Sequence, residues 1–423
     1  MGGRDASVRP ARRTLDDLTA EEADGRRALV RVDFNVPLEG DPENRYVASD
    51  ARIRASLSTV EGLLGRGATV VLASHLGRPA GAPDPALSLK PVAAHVEELL
   101  GRRIVFLPEP FDERSTKIVR EARGGEVFLL ENLRFHPGEK GNDPAFAERL
   151  AGYGEYFVQD AFGTCHRAHA STVGVTEFLR PRVAGRLLAR ELEAFGRVLD
   201  PERPFVAIMG GAKIADKIGV VEELAERSER VCLGGGMANT FLEAKGIDVG
   251  DSLVEEDRLD RARALIDRFG EALVLPVDAV IAREIEVGAE TRTVSVDDGI
   301  DPGWKILDVG PATVERFERA LRDARTVFWN GPLGVFETPP FDAATRAIAE
   351  RLAAMSERGA YTVTGGGDSL AALERAGLAE SVGHASTGGG AALDLVAGKT
   401  LPGVESLDPA PGAASSPSGE VEG

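Results

Sequence analysis

Cysteine and large aromatic residues are scarce in this chain. Its 423 residues include 2 cysteines, 2 tryptophans and 4 tyrosines. Two cysteines, Cys165 and Cys232, exclude a disulfide framework and favour a reducing, cytoplasmic compartment. Apolar runs of membrane-spanning length are also missing, so we expect no membrane partner.

Positive charge is in short supply as well. The chain has 50 lysine and arginine residues against 68 acidic ones, a net charge of −18. This balance argues against a nucleic-acid partner, although it allows a local basic cleft. The first 20 residues hold no apolar core of a signal peptide, and Asp5, Asp16 and Asp17 are untypical of a transit peptide. We expect neither export nor a lipid anchor.

Short apolar runs alternate with longer amphipathic stretches throughout the chain. ALVRVDF, ATVVLAS, RIVFL, EVFLL and YFVQDAF read as strands, and FVAIMG, RVCLGG, ALVLPVDAVIA, TVFWNG and AYTVTGG repeat the pattern. Strand and helix in alternation predict an α/β protein with two doubly wound, Rossmann-like parallel-sheet domains. We place these domains at 1–185 and 205–395, joined by a helical hinge at 186–204. Residues 408–423 have the composition of a disordered tail.

In the first half, the predicted strand ends are rich in arginine and histidine. Ligands of open α/β sheets bind beyond the carboxyl ends of strands, where these side chains would converge. Converged guanidinium groups in an acidic protein make a focused anion site for carboxylate or phosphate. The candidates are Asp33, Asn35, Arg52, His75, Arg78, Arg134, His166, Arg167 and His169.

In the second half, the strand ends are rich in glycine: MGGAK, LGGGM, WNGPLG, TGGGDS and STGGGA. Glycine lets backbone N–H groups approach phosphate oxygens closely. Lys213 and Lys217 follow the first of these loops, and a helix beginning there would put both ammonium groups on one face. A bound anion would relieve their repulsion. The residues alone leave open whether this pair binds phosphate or is solvated.

Few acidic residues accompany the glycine loops. Asp368 follows a predicted strand and is a candidate Mg²⁺ ligand, since this ion takes one or two carboxylates plus substrate phosphates. Glu337 is a candidate for ribose hydroxyls. Either residue could instead be a helix cap or a surface acid. Cys165, His166 and His169 have poor spacing for a zinc site.

The motifs, taken in order, resemble those of the phosphoglycerate kinase family from about Leu15 to Leu407. They are RVDFNVPL, SHLGRP, ENLRFHPGE, DAFGTCHRAHAS, GGAKIADKI, GGGMANTF, LPVD, WNGPLGVFE, GGGDS and STGGGA. The resemblance implies a bilobal kinase with two domains facing a cleft, and a segment at about 396–407 that returns to the first domain. It also implies a monomer.

The resemblance carries site residues onto this sequence. For 3-phosphoglycerate or 1,3-bisphosphoglycerate it implies Asp33, Phe34, Asn35, Arg52, His75, Leu76, Gly77, Arg78, Arg134 and Arg167. For ADP or ATP it implies Lys217, Gly235, Gly236, Asn330, Glu337, Gly366, Gly367, Asp368 and Ser369, with Asp368 also on Mg²⁺. Arg52 and Lys213 would be catalytic, stabilising the phosphoryl group in transfer.

Three positions depart from the family pattern: Ile306 stands where many members have glycine beside the adenine, Gln159 where asparagine is usual, and Cys165 where alanine is common. None removes a candidate catalytic group. The implied acceptor is a carboxylate, which is ionised at neutral pH with a pKa of about 4, so no general base is required. The alternative from another class is a non-catalytic two-domain protein that closes on an anionic metabolite.

Overall fold

The computed structural model describes residues 12–41, 44–215 and 217–412. The chain divides into two compact units. The first unit runs to Glu191 and takes up the chain again from Thr400, and the second unit is Leu192–Lys399. None of the helices in the described ranges is both long and apolar enough to cross a membrane.

The first unit is built on a parallel sheet. Its strands, with a separate β2–β3 ribbon, are β1 (Arg27–Arg31), β2 (Leu38–Glu39), β3 (Tyr46–Val47), β4 (Thr69–Ala73), β5 (Ile104–Leu107), β6 (Val127–Leu130), β7 (Tyr156–Gln159) and β8 (Arg182–Ala184). Its helices are α1 (Ala20–Ala23), α2 (Ala51–Leu64), α3 (Lys90–Leu100), α4 (Glu113–Arg120), α5 (Pro137–Lys140), α6 (Pro144–Ala151) and the first part of α7 (Arg186–Leu199).

The strand order is β5-β6-β4-β1-β7-β8, so the chain builds one side of the sheet with β4, β5 and β6 and the other side with β7 and β8. The central strands are continuous apolar runs and are buried, as expected for a parallel sheet covered on both faces. A core of apolar residues that includes Val30, Leu72 and Leu129 packs beside the sheet. The winding reverses at β1, which makes the loops after β1, β4 and β7 the expected binding region.

The second unit repeats this architecture. Its strands are β9 (Phe205–Met209), β10 (Arg230–Leu233), β11 (Leu273–Val274), β12 (Asp278–Ala282), β13 (Arg292–Ser295), β14 (Lys305–Val309), β15 (Thr326–Asn330), β16 (Tyr361–Gly365) and β17 (His384–Ala385). Its helices are the end of α7, α8 (Ile218–Arg227), α9 (Gly235–Ala244), α10 (Leu259–Phe269), α11 (Pro311–Leu321), α12 (Ala343–Glu357), α13 (Gly367–Arg375) and α14 (Gly389–Val396).

The parallel order of the second unit is β11-β10-β9-β15-β16-β17, with the reversal between β9 and β15. The predicted fold class, two doubly wound parallel sheets, is therefore confirmed. A smaller antiparallel sheet, β13-β12-β14, was not predicted. ALVLPVDAVIA reads as one strand, but it divides into β11 and β12 around Pro276, which has no N–H to donate to a ladder.

One predicted helix start is wrong. The sequence places Lys213 and Lys217 on the first turns of a helix, whereas α8 begins at Ile218 and Lys217 is its N-cap residue. The Glu255 carboxylate accepts hydrogen bonds from the backbone N–H groups of Ile214 and Ala215, which holds that stretch in a turn. The two lysines therefore do not share a helical face.

The chain returns to the first unit at its end. Helix α15 (Pro402–Glu405) comes after α14 in the chain. Its Gly403 N–H donates to the carbonyl of Cys165 in the first unit at 2.9 Å. Asp408, where the tail expected to be disordered begins, accepts hydrogen bonds from the Arg182 N–H and Nε, each at 2.8 Å. The rest of that predicted tail, from 413 onward, lies outside the described residues.

Candidate functional site

The loops after β1 and β4 meet at the carboxyl edge of the first sheet. Arg52, on α2, donates from Nη1 to the Asn35 carbonyl at 2.8 Å, and the same atom lies 3.7 Å from the Asp33 carboxylate. Asn35 Oδ1 accepts from the Gly77 N–H at 2.8 Å. These contacts bring residues that are distant in sequence into one polar surface.

The loop after β6 joins the same surface. Arg134 Nη1 donates to the Gly77 carbonyl at 2.6 Å. Asn132, which is buried, accepts at Oδ1 from the N–H groups of Leu76, at 3.2 Å, and of Arg134, at 3.1 Å. Asn132 was not among the predicted residues, and it fixes the course of two loops that carry them.

The pKa shifts indicate that positive charges are concentrated here. Burial, followed by the charges of Arg31 and Arg167, lowers the pKa of Arg134 to about 10. Burial, followed by Arg31 and Arg134, lowers the pKa of His169 to about 4. Burial is the larger cause in both groups, and the neighbouring cations add to it, so an anion bound beside them would be stabilised.

The predicted residues of this unit differ in exposure. Arg78 and Arg167 have exposed side chains, and Arg167 Nε donates to His166 Nε2 at 3.0 Å. Phe34 and Leu76 are buried in the apolar core, so these two can offer a ligand only their backbone. The Phe34 N–H donates to Ser74 Oγ at 2.9 Å.

A buried polar group beneath this surface was missed by the sequence reasoning. Arg31 is fully buried and donates from Nε to Ser171 Oγ at 2.8 Å, while its Nη2 lies 3.1 Å from His75 Nδ1. Ser171 Oγ donates in turn to the buried Glu139 carboxylate at 2.6 Å. An arginine inside an apolar strand was the available signal, because a buried charge requires partners.

In the second unit the glycine loops converge at the ends of β9, β10 and β15. The Gly210 N–H donates to the Asn330 carbonyl at 2.8 Å, and the Gly211 N–H to the Pro332 carbonyl at 2.8 Å. Gly235 has φ +66°, and an added Cβ would lie 2.7 Å from the Gly211 nitrogen. These glycines therefore let the loops contact one another, whereas their predicted approach to phosphate stays a prediction.

The two lysines occupy different environments. Lys217 Nζ donates to the Gly210 carbonyl at 2.7 Å, and a Cβ on Gly211 or Gly331 would lie 2.7 or 2.9 Å from that nitrogen. Lys213 is exposed. Lys217 thus lies over the glycine loops, while Lys213 projects from the turn before α8.

The loop after β16 leads directly into α13. Gly366 has φ +100°, which favours glycine, and precedes the exposed Gly367 and Asp368 of the first turn. Ser369 is buried, and its Oγ accepts from the Gly331 N–H at 2.6 Å. Asn330 is also buried, with Nδ2 donating to the Gly365 carbonyl at 2.7 Å. Asn330 and Ser369 therefore join the loops to one another.

A cavity of about 530 Å³ adjoins these loops within the second unit. Gly211, Gly235 and Gly236 form one wall. The remainder is mostly apolar, with Glu337 and Asp368 also in the lining. Apolar residues that line it include Leu242, Leu253, Ile306, Val335 and Phe336. A cavity with apolar walls and a glycine-rich side suits a flat base that carries phosphates.

The metal-binding groups are sparse. In the part of the chain that the structure describes, no cluster of three or more His, Cys, Asp or Glu residues could hold a metal ion. Cys165 is fully buried, and burial raises the pKa of its thiol, which disfavours the thiolate that zinc requires. Asp368 is exposed at the start of α13 and lines the cavity together with the exposed Asp251 and Glu337, and one such carboxylate fits an ion held mainly by substrate phosphates.

The chain has two doubly wound units, one with converged cations and one with a nucleotide-sized cavity. This combination indicates a phosphotransferase. Residues 15–399 match the phosphoglycerate kinase family. The phosphoglycerate kinase of Synechococcus elongatus is 50% identical over 404 residues, covering 95% of this chain and 100% of its own. That of Chloroflexus aurantiacus is 51% identical over 395 residues, covering 91% and 97%.

A solved structure gives the same result. Phosphoglycerate kinase from Coxiella burnetii superposes with a TM-score of 0.81 at 35% identity, covering 94% of this chain and 98% of its own. The chain belongs to the phosphoglycerate kinase family. It is therefore an enzyme that transfers a phosphoryl group with a carboxyl group as acceptor.

Proposed function

We propose that the first unit binds 3-phosphoglycerate or 1,3-bisphosphoglycerate through the polar surface at its sheet edge. Arg134 and Arg167 influence one another electrostatically there, and Arg52 reaches the same loop from α2. Arginine forks suit both the carboxylate and the phosphate of such a ligand. The proposed substrate-site residues are Asp33, Phe34, Asn35, Arg52, His75, Leu76, Gly77, Arg78, Arg134 and Arg167. Phe34 and Leu76 support the loops that carry the others, since the Phe34 N–H donates to Ser74 Oγ and the Leu76 N–H to Asn132 Oδ1.

The second unit binds ADP or ATP in the cavity beside the glycine loops. The base enters between the apolar side chains, Glu337 accepts from ribose hydroxyls, and the phosphates extend toward Lys217 and the start of α13. Backbone N–H groups at a helix start favour a phosphate oxygen. The proposed nucleotide-site residues at this end are Gly235, Gly236, Asn330, Gly366, Gly367, Asp368 and Ser369. Asp368 acts through Mg²⁺, and the buried Asn330 and Ser369 hold the loops together.

Ile306 lines this cavity, at the end assigned to the base. Its backbone N–H already donates to Ser252 Oγ at 2.8 Å, so it is not available to the base. The side chain adds apolar surface where a glycine would leave space. We assign it a packing contact with the base, which would strengthen binding without reading the base edge.

The reaction requires positioning and charge stabilisation more than proton transfer. The acceptor carboxylate of 3-phosphoglycerate is ionised at neutral pH, since an unperturbed carboxyl pKa is about 4. Arg52 from the first unit and Lys213 from the second supply positive charge to the phosphoryl group during transfer. Lys213 is suited to this because it is exposed and held by a turn that Glu255 pins. Lys213 lies before α8 and outside its first turn.

Asp368 would hold Mg²⁺ together with nucleotide phosphate oxygens. When bound, the ion would neutralise phosphate charge that builds up during transfer. The two substrates are assigned to different units, so movement about residues 186–204 must bring them into line and exclude water. We place the enzyme in the cytoplasm, as a monomer.

The observation that carries this assignment is the contrast between arginine side chains at one sheet edge and glycine backbone at the other. Its test is MgATP-dependent turnover of 3-phosphoglycerate by the full chain, measured in a coupled assay. Turnover that is abolished by chelating the divalent cation supports the assignment. Binding of 3-phosphoglycerate without any turnover would instead identify a non-catalytic binder of an anionic metabolite.

A further inference from the structure

His75 lies at the junction between the ligand surface of the first unit and the buried polar group below it. It follows β4 and is 4% exposed. Its Nδ1 atom has two polar neighbours, Arg31 Nη2 at 3.1 Å and an Asp33 carboxylate oxygen at 3.9 Å. Only the first distance is that of a hydrogen bond.

Arginine can only donate, since its guanidinium has five N–H groups and no acceptor. His75 Nδ1 must therefore present a lone pair to Arg31. A neutral imidazole with a bare Nδ1 carries its proton on Nε2. A doubly protonated ring would set an N–H against an N–H, so the contact also opposes the charged form.

Hydrogen bonds from the other nitrogens of Arg31 fix the guanidinium that faces His75 Nδ1. Its Nε donates to Ser171 Oγ, its Nη1 donates to the Val32 carbonyl, and its Nη2 remains for His75. The Glu139 carboxylate is fixed by the Ser171 N–H at 3.0 Å and hydroxyl at 2.6 Å. Arg31, Ser171 and Glu139 are all essentially inaccessible to solvent.

The other charged groups around His75 act in the same direction. Burial lowers the pKa of His75 well below its ordinary value, and neighbouring cations lower it further. The titratable and charged groups that face it are Arg31, Asp33, Arg52, Arg134 and His169. Of these only Asp33 would favour a proton, and its oxygen stands beyond hydrogen-bond distance.

We propose that Arg31 is a positioning residue that fixes His75 as the neutral imidazole protonated on Nε2. His75 then presents one defined donor to an oxygen of phosphoglycerate. This part of the inference rests on the proposed function, whereas the tautomer of the ring does not. A donor of fixed identity lets the site bind a carboxylate or hydroxyl oxygen without a titration of His75 near neutral pH.

The direct test is long-range proton–nitrogen NMR of the full chain with nitrogen-15 in its six histidines, without substrate. His75→Gln identifies the His75 signals by their loss. We expect a protonated Nε2 and an unprotonated Nδ1 from pH 5.5 to pH 8. A proton on Nδ1, or a titration of the ring within that range, would overturn the inference whether or not the enzyme turns over.

Substitutions at Arg31 and at His75 extend the test. Arg31→Met removes the donor and should let His75 titrate or change tautomer, while Arg31→Lys retains a donor and should preserve the wild-type signals if it folds. His75→Gln keeps an amide N–H near the Nε2 position, whereas His75→Asn places its amide near Nδ1. We expect the KM for 3-phosphoglycerate to rise roughly 10- to 100-fold more in His75→Asn, since one hydrogen bond to a charged group is lost.

The KM for MgATP should stay unchanged in both histidine variants. Equal KM values for 3-phosphoglycerate in the two variants would overturn the donor role. If instead 3-phosphoglycerate is not turned over at all while the predicted tautomer is observed, the proposed function fails and the assignment of Arg31 stands. The spectra and the kinetics therefore separate the two failures.

Discussion

The two units present candidate binding groups of different kinds on the same architecture. At the first sheet edge the groups are side chains, with Arg52, Arg134 and Arg167 among them, supported by a buried layer. At the second edge they are backbone groups, brought together because glycine allows loops to lie within contact. Under the proposed function, one fold binds anions by charge in one unit and by backbone geometry in the other, so mutations should act differently in the two units.

Loss of Lys213 should have the largest effect. Lys213→Ala removes a cation assigned to the transferring group, and losing one such preorganised group lowers kcat by about 10²- to 10³-fold. We expect little change in the KM of either substrate. Steady-state kinetics measures this, with the exposed Lys245→Ala in the same unit as a matched control. An unchanged kcat with a raised nucleotide KM would make Lys213 a binding residue.

Loss of Arg78 should affect affinity and not the rate. Arg78 is exposed at the sheet edge, and Arg78→Ala should weaken 3-phosphoglycerate binding by roughly 10- to 100-fold through loss of a charge-assisted hydrogen bond. Calorimetric titration measures the change, and Arg103→Ala, also exposed in the first unit, is the control. Equal affinities in the two variants would remove Arg78 from the site.

A backbone site should be sensitive to a single methyl group. Gly235 and Gly246 both have positive φ, but an added Cβ meets backbone at 2.7 Å at Gly235 and nothing within 4 Å at Gly246. Gly246→Ala should cost about 1 kcal/mol through backbone strain alone. Gly235→Ala should lower Tm further and raise the KM for MgATP several-fold. Similar losses in both variants would argue against a site built from contacting loops.

A further difference from the mutations above is a pH effect at a feature that the units share. Asp160 and Asp308 are buried aspartates that accept backbone N–H groups at helix starts, Leu187 at 3.0 Å and Ala344 at 3.0 Å. Burial raises the pKa of each carboxyl from 3.8 to about 7. Between pH 4 and pH 7 the native state therefore keeps a proton on each carboxyl that the unfolded state has released. The free energy of unfolding falls as the pH rises through this range.

Substitution by asparagine should remove that dependence in the corresponding unit. Each group contributes at most about 1.4 kcal/mol per pH unit within the window. Denaturant unfolding of Asp160→Asn and Asp308→Asn from pH 4 to pH 7 measures the slopes. A slope equal to that of the wild type would mean that the carboxyl in question is ionised in the native state.

The sequence predicted the parts of this structure that depend on local pattern. Apolar runs located the central strands, and residues that follow those runs, such as Asp33, His75 and Arg134, lie together because parallel strands end at one edge. Glycine marked the loops of the second unit for a similar reason.

What could not be predicted depends on contacts between distant segments. The start of α8 is set by Glu255, 41 residues from Ile214, and nothing near Lys213 signals it. Arg31 and Ser171 are 140 residues apart, so a buried arginine was visible in the sequence but its partners were not. The antiparallel sheet around β12 was hidden because Pro276 divides a run that reads as one strand.

Hydrogen–deuterium exchange with each substrate added separately tests the division of binding between the units most directly. We predict that 3-phosphoglycerate alone protects segments 33–36, 74–78 and 131–136 of the first unit. MgADP alone should protect segments 210–217, 234–239, 330–337 and 365–369 of the second. The account would be contradicted if both substrates protected the same unit, or if neither substrate protected the segments assigned to it.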